Sequence, residues 1–299
     1  MGLLKSNVYA ATDALDCDEG VKFFSEKAKD SEASMAEVYF FIRRPISEKY
    51  KHVFRRLARQ SIIKTSLKIT SKGIRGNFKK TTPSYQIGHP EFDIDETIQH
   101  NPLNIYKKTL TYKDIFGIQR KKQKRKIIMI LDTSGSMYGK LLLNAALTTS
   151  VLAYNMEKES YGVVLFNSTA MVLKKINEKK PVITIIDEIL DSEAAGFTNI
   201  NIGLENGLKE LNKVKEKTRH KFGILITDGN YNRGGNLESL IEEARKYPKL
   251  HVIGMPAEND AERGIDTCRE IARAGKGKFY AVNDYKEIPR ALIELLSQV

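Results

Sequence analysis

The order of apolar runs predicts an α/β fold: a doubly wound, six-stranded, mostly parallel sheet flanked by helices, preceded by a mainly helical, basic N-terminal region. Three observations carry this. Residues 127–299 alternate short apolar runs with longer amphipathic stretches, the pattern of successive βα units. Several of the short runs are apolar at every position, as in strands covered on both faces. The positive charge is confined to the middle of the chain: residues 41–126 hold 22 Lys/Arg against 6 Asp/Glu, whereas residues 127–299 hold 23 of each.

The elements follow in order. Ile127-Ile128-Met129-Ile130-Leu131 is the first strand and ends at Asp132. Residues 141–158 form a helix whose apolar positions nearly encircle it, so it is sandwiched between layers. Strands at 161–166 and 170–173 are joined only by Asn167-Ser168-Thr169, a link that allows only an antiparallel hairpin. Pro181 opens a helix that runs to Leu190. A helix over 200–217 puts Ile200, Leu204, Leu208 and Leu211 on one face, and Gly203 and Gly207 let it lie close on the sheet. Strands over 222–227, 250–255 and 278–282 alternate with helices over 237–247 and 265–274, the second ended by Gly275. Ile288, Leu292 and Leu295 mark a closing helix.

The region before the first strand differs. Residues 33–44 and 47–68 read as helices separated at Pro45. Tyr50, Phe54, Leu57 and Ile62 give the second an apolar stripe, and Lys51, Arg55, Arg56 and Arg59 occupy much of its remainder. Residues 69–123 read as loop and linker, and the charge run at 121–126 as a solubilising flank of the first strand. The expected division is 1–123 and 124–299. No stretch approaches the roughly 18 apolar residues of a membrane span. The two cysteines, Cys17 and Cys268, are far apart and suit a reducing compartment. A cytoplasmic protein with no membrane association is therefore expected. The net charge of +12 invites an anionic partner surface.

The chemistry concentrates at strand ends, where doubly wound sheets place their sites. Asp132-Thr133-Ser134-Gly135-Ser136 follows the first buried strand and sets one carboxylate and two hydroxyls at alternate positions of a tight loop. Gly196-Phe197-Thr198-Asn199 offers another hydroxyl before the helix at 200, and Thr227-Asp228-Gly229 a second carboxylate after a central strand. In the sheet as wound, these loops meet on one edge. Asp132, Ser134, Ser136, Thr198 and Asp228 then supply five hard oxygen donors around one cation, a set suited to Mg²⁺, with Mn²⁺ or Ca²⁺ as alternatives. Two carboxylates roughly neutralise a divalent ion and leave it positions for water or an outside carboxylate.

These three pieces resemble the parts of the metal-ion-dependent adhesion site (MIDAS) of von Willebrand factor A domains, over about residues 124–299, and all five positions match that pattern. The resemblance implies a six-stranded, mostly parallel sheet and a protein-binding module rather than an enzyme. The N-terminal helices, the basic stretch and the Asp93-x-x-x-Thr97 element are similar to a narrower group, CoxE-like proteins and the A-domain subunits of metal chelatases. That similarity implies a MoxR-type or other AAA+ ATPase, or its client, as partner.

Other classes find less support. Ser134 beside Gly135 lacks a nucleophile elbow or nearby His base, so no hydrolase is expected. No phosphate-binding loop of the Walker type is present. The five histidines are scattered and form no ligand spacing. The alternative is RNA binding through the basic 41–126 segment, since some A-domain proteins resembling Ro autoantigens hold RNA.

Overall fold

The computed structural model describes residues 7–30, 34–71, 78–81, 84–86, 91–122, 125–156, 160–192, 195–214, 221–256 and 261–297. Expected helix positions at 33, 157–158 and 215–217, and the charged residues at 123–124, lie outside them. Two compact units are present, one uniting Met1–Ile74 with Arg125–Gln298 and the other built on Arg75–Lys124.

The large unit is organised by a six-stranded sheet of order β6-β5-β4-β7-β8-β9. Its strands are β4 (Lys126–Asp132), β5 (Ser160–Phe166), β6 (Ala170–Lys174), β7 (Lys221–Thr227), β8 (Leu250–Gly254) and β9 (Lys276–Ala281). All neighbours are parallel except β5 and β6, the predicted hairpin. Every residue of β4 and β7 is buried, which explains why both read as unbroken apolar runs. The chain leaves β4 in one direction to β5 and reaches β7 on its other side, so the sheet's switch point lies between β4 and β7.

Helices α6 (Lys140–Asn155), α7 (Val182–Asp191), α8 (Ile200–Asn212), α9 (Leu237–Arg245), α10 (Ala261–Ala274) and α11 (Ile288–Ser297) flank the sheet. Gly207 lets α8 sit close on it: a Cβ there would come within 2.6 Å of Ile130 Cδ1 and of the Tyr247 hydroxyl. The N-terminal helices α1 (Val8–Leu15), α2 (Asp18–Asp30), α3 (Ser34–Ile42) and α4 (Glu48–Ser71) belong to the same unit.

This grouping differs from the division expected at 123/124. The reason is α6: the sheet covers one face, and its opposite face is covered by α4. Phe54, Ala58 and Ile62 of α4 are fully buried, and Phe24 of α2 packs edge-on against Phe54 at 4.7 Å between ring centroids. Burying each such large side chain is worth about 1.5–3 kcal/mol. Arg55 and Arg59, on the basic side of α4, reach Asp191 at 2.5 Å and Asp187 at 2.7 Å on α7. Arg43 Nη1 donates to the carbonyl oxygens of Leu190 and Ser192 at 2.9 and 2.6 Å and so caps the end of α7. Helices α1 and α2 fall in the region expected to be mainly helical, although their positions were not read from the sequence. Asp16 between them accepts from the Ser47 hydroxyl at 2.5 Å and ties them to the start of α4.

The charge run before β4 is also not simply a solvated flank. Arg125 and Lys126 are buried, and Lys126 Nζ donates to Ser160 Oγ at 2.7 Å, joining the starts of β4 and β5.

The stretch expected as loop and linker holds the second unit. Strands β1 (Phe78–Thr81), β2 (Glu91–Asp93) and β3 (Phe116–Lys122) form an antiparallel sheet of order β1-β3-β2, with the short helix α5 (Ile94–His100) after β2. Asp93 caps α5 by accepting from Glu96 N at 3.1 Å. The Thr97 hydroxyl donates to Asp93 O at 2.6 Å and accepts from Phe116 N at 3.0 Å. The Asp93–Thr97 element thus fastens α5 to β3.

Candidate metal centre

Asp132 closes β4 and Asp228 follows β7, so the switch point sets the two carboxylates side by side in adjacent parallel strands. Both are buried. Asp132 Oδ1 accepts from Ser134 N at 2.9 Å, the local turn that swings Ser134 back toward the carboxylate. Asp132 Oδ2 accepts from the Thr227 hydroxyl at 2.5 Å, and Thr227 Oγ1 in turn accepts from Gly229 N at 3.1 Å. Asp228 Oδ1 accepts from Asn230 N at 3.0 Å. Asp228 Oδ2 is buried with no hydrogen-bond partner among the described residues.

The hydroxyls close around this pair. Ser134 and Ser136 lie 3.1 Å apart, oxygen to oxygen. The Gly196–Thr198 loop is fastened to the first loop through Gly135 N, which donates to Gly196 O at 3.2 Å. It is fastened to the third through Thr198: its N donates to Asn232 Oδ1 at 2.8 Å, and its O accepts from Asn232 N and Arg233 N, both at 3.2 Å. Gly196 has a φ of +84°, and a Cβ there would meet Ser168 Oγ at 2.8 Å, so this turn needs glycine. Gly229 has a φ of +78°, and a Cβ there would lie 2.1 Å from Gly264 O. The turn carrying Asp228 is thereby pressed against α10.

The N-terminal region reaches this edge as well. The Tyr138 hydroxyl, two residues beyond Ser136, donates to Phe41 O at 3.0 Å, and the two rings meet edge-on at 5.5 Å. No motif in the sequence signalled that α3 buttresses the first loop. The only hint was the aromatic run Tyr39-Phe40-Phe41 at the end of an apolar helix.

Burial raises the pKa of Asp132 above the usual carboxylate range, and the Asp228 charge raises it further. Asp228 is raised by burial too, against hydrogen bonds from Ser136 and Asn230 that favour its ionised form. The Cys268 thiol, beneath the Asp228 turn, is pushed up by burial and then by both carboxylates. Burial and mutual repulsion disfavour the ionised form of both carboxylates, and a cation between them would relieve both effects. Among the described residues no Lys or Arg pairs with either carboxylate, and no cluster of three or more His, Cys, Asp or Glu is present. The chemistry of the set suits a hard divalent ion: two buried carboxylates, one oxygen of which has no partner among the described residues, the neighbouring Ser134 and Ser136 hydroxyls, and Thr198 on a loop fastened to both other loops.

The von Willebrand factor type A domain matches residues 126–294, more than half of the 299 residues. The chain belongs to this family. Among relatives, an uncharacterized protein of Methanocaldococcus jannaschii is 34% identical over 119 residues, covering 38% of this chain and 27% of that protein. The inter-alpha-trypsin inhibitor heavy chain H3 of Pongo abelii is 28% identical over 128 residues, covering 40% of this chain and 15% of that protein. The chain thus spans well under a third of the length of these relatives. A solved von Willebrand factor type A structure from Catenulispora acidiphila superposes with a TM-score of 0.48 at 17% identity, covering 60% of this chain and 43% of that one. Domains of the von Willebrand type are commonly metal-dependent interaction modules. Among the described residues, no helix is long and apolar enough to cross a membrane.

Proposed function

We propose that this von Willebrand A-domain protein is a metal-dependent protein-binding module. Asp132, Ser134, Ser136, Thr198 and Asp228 hold one divalent cation, with Mg²⁺ the best fit to short hydroxyl donors and Mn²⁺ or Ca²⁺ as alternatives. The cation, when bound, supplies a Lewis-acidic position for an Asp or Glu carboxylate of a partner. The observation that carries this reading is the unpartnered, buried Oδ2 of Asp228 beside the equally buried Asp132. The chain's own residues do the rest. Thr227 and Ser134 N fix the Asp132 carboxylate, Asn230 N fixes that of Asp228, and the Gly135–Gly196 bond closes the loops over them.

Within this reading the chain acts as an adaptor of an AAA+ ATPase assembly of the MoxR type, recruiting the ATPase or its client. The N-terminal helices that resemble those of CoxE-like proteins support that role. RNA binding through residues 41–126 is the weaker reading, because Arg55 and Arg59 are engaged by Asp191 and Asp187 rather than left for phosphates.

The test is an affinity capture run with Mg²⁺, with EDTA, and with an Asp132→Ala bait. The expected result is an AAA+ ATPase retained only by the intact chain with Mg²⁺. Retention of the same proteins in all three arms contradicts the reading.

A further inference from the structure

Two arginines stand on the rim of the candidate site, each laid over an aromatic ring. The Arg233 guanidinium lies 5.7 Å from the centroid of Phe197, and that of Arg263 lies 5.8 Å from the centroid of Tyr231. Both arginines are exposed, and Phe197 is 57% exposed. Neither guanidinium joins an ion pair among the described residues. Three other exposed arginines, Arg269 and Arg273 further along α10 and Arg290 on α11, behave differently: each holds an acidic neighbour of its own helix, at 2.9, 2.8 and 3.1 Å.

The rim is fixed to the site residues by backbone. Arg233 N donates to the carbonyl oxygen of Thr198, and Phe197 N donates to Ser168 Oγ at 2.9 Å. Tyr231 N donates to Gly229 O at 3.1 Å, and its ring is packed against the core. Arg263 precedes Gly264, whose own Cβ position would fall 2.2 Å from Asp228 O. Rigid aromatics paired with arginines are the composition of energetic centres in protein interfaces. A stacked guanidinium keeps its hydrogen-bonding edge free for a carboxylate, and it recognises that group bidentately.

We infer that Phe197 with Arg233 and Tyr231 with Arg263 form the specificity rim of the site. The rim fits an acidic segment of a partner protein in which a second carboxylate stands within a few residues of the one that reaches the cation. This inference rests on the metal-dependent reading above. Because the cation and its two carboxylates are roughly neutral together, the rim's charge sets the attraction for such a segment, and that attraction is screened by salt.

The test is selection of a phage-displayed random heptapeptide library on the full chain in Mg²⁺. Parallel arms use EDTA, Asp132→Ala, and the double variant Arg233→Ala/Arg263→Ala, and Mg²⁺ affinity is measured calorimetrically for each protein. The expected result is enrichment of peptides with two or more carboxylates on the intact chain. The double variant keeps its Mg²⁺ affinity but binds those peptides at least tenfold more weakly, and it no longer selects the second carboxylate. The inference is overturned if the double variant selects the same peptides with the same affinity, or if the peptides carry a single carboxylate. It is overturned as well if no peptide is enriched, or if single-stranded RNA offered in Mg²⁺ binds in place of peptides. Acidic peptides that survive EDTA and Asp132→Ala but are lost in the double variant uphold the rim and refute the metal-dependent reading.

Discussion

Two regions of the large unit gather carboxylates near the surface of the sheet layers, and they resolve the charge in opposite ways. Along the seam between α4 and α7, Asp187 and Asp191 face Arg55 and Arg59, at 2.7 and 2.5 Å for the closest pairs. At the sheet edge, Asp132 and Asp228 face each other, hydroxyls and backbone N–H groups, with no basic side chain paired to either among the described residues. The seam is electrostatically complete within the chain. The edge has no counter-charge of its own among the described residues, and in the proposed function a bound cation supplies it. A pair that supplies its own counter-charge is architecture, and a pair that lacks one is where a ligand belongs.

Four measurements break or sharpen that contrast. The largest effect concerns the seam's apolar base. Phe54→Ala removes a fully buried ring that α4 and Phe24 share, and it is expected to cost about 3–5 kcal/mol in urea denaturation. Because α4 covers α6, the loss should appear in one transition reported alike by helix and sheet probes. A separate early transition of the N-terminal helices, with the sheet's midpoint unchanged, breaks the claim that they form one unit.

Next is the edge. Asp228→Ala should lower Mg²⁺ affinity on the order of 100-fold, at least the effect usual for losing an outer-shell partner. The metal-free melting temperature should hold or rise, because a repelling charge is gone. Global unfolding of this variant would make Asp228 structural.

The opposite end of the strands gives a control. His251, near the start of β8, is buried, and its Nδ1 accepts from Lys278 N at 3.2 Å. Burial pushes its pKa down from 6.5 to about 4. The unfolded chain therefore takes up the proton first as pH falls, and the stability present above pH 6.5 is lost progressively toward pH 4, on the order of 2–3 kcal/mol. His251→Gln should flatten that limb in denaturation curves taken across this range. An unchanged pH dependence in the variant removes His251 as its cause.

The smallest effect returns to the seam. Asp187→Ala should cost no more than about 1 kcal/mol, since the pair is part-exposed. It should leave Mg²⁺ affinity within twofold. A variant at the seam that weakened metal binding as much as one at the edge would erase the distinction.

The sheet was readable because β4 and β7 carry unbroken apolar runs, at 127–131 and 222–226, as strands buried on both faces do. The candidate site could be picked out for a related reason: Asp132, Ser134, Ser136 and Asp228 sit at or just beyond the ends of those runs, and Thr198 just before a helix. What the sequence concealed were contacts across long separations. The partners of Arg55 and Arg59 gave no sequence signal because they lie on α7, more than 120 residues away. Residues 78–122 looked like linker because the strands are short and rich in Lys, with pairing that bridges from Phe78 to Lys122. The rim arginines carried no signal at all, since Phe197 and Arg233 meet only when two loops fold over Thr198.

The most direct test of the central claim is calorimetric titration of Mg²⁺ and of Mn²⁺ into the full chain and into Asp132→Ala and Asp228→Ala. The predicted result is one ion bound per intact chain and affinity lowered on the order of 100-fold or more in both variants, each of which still melts cooperatively. The same stoichiometry and affinity in all three proteins, or no binding to the intact chain, would contradict it.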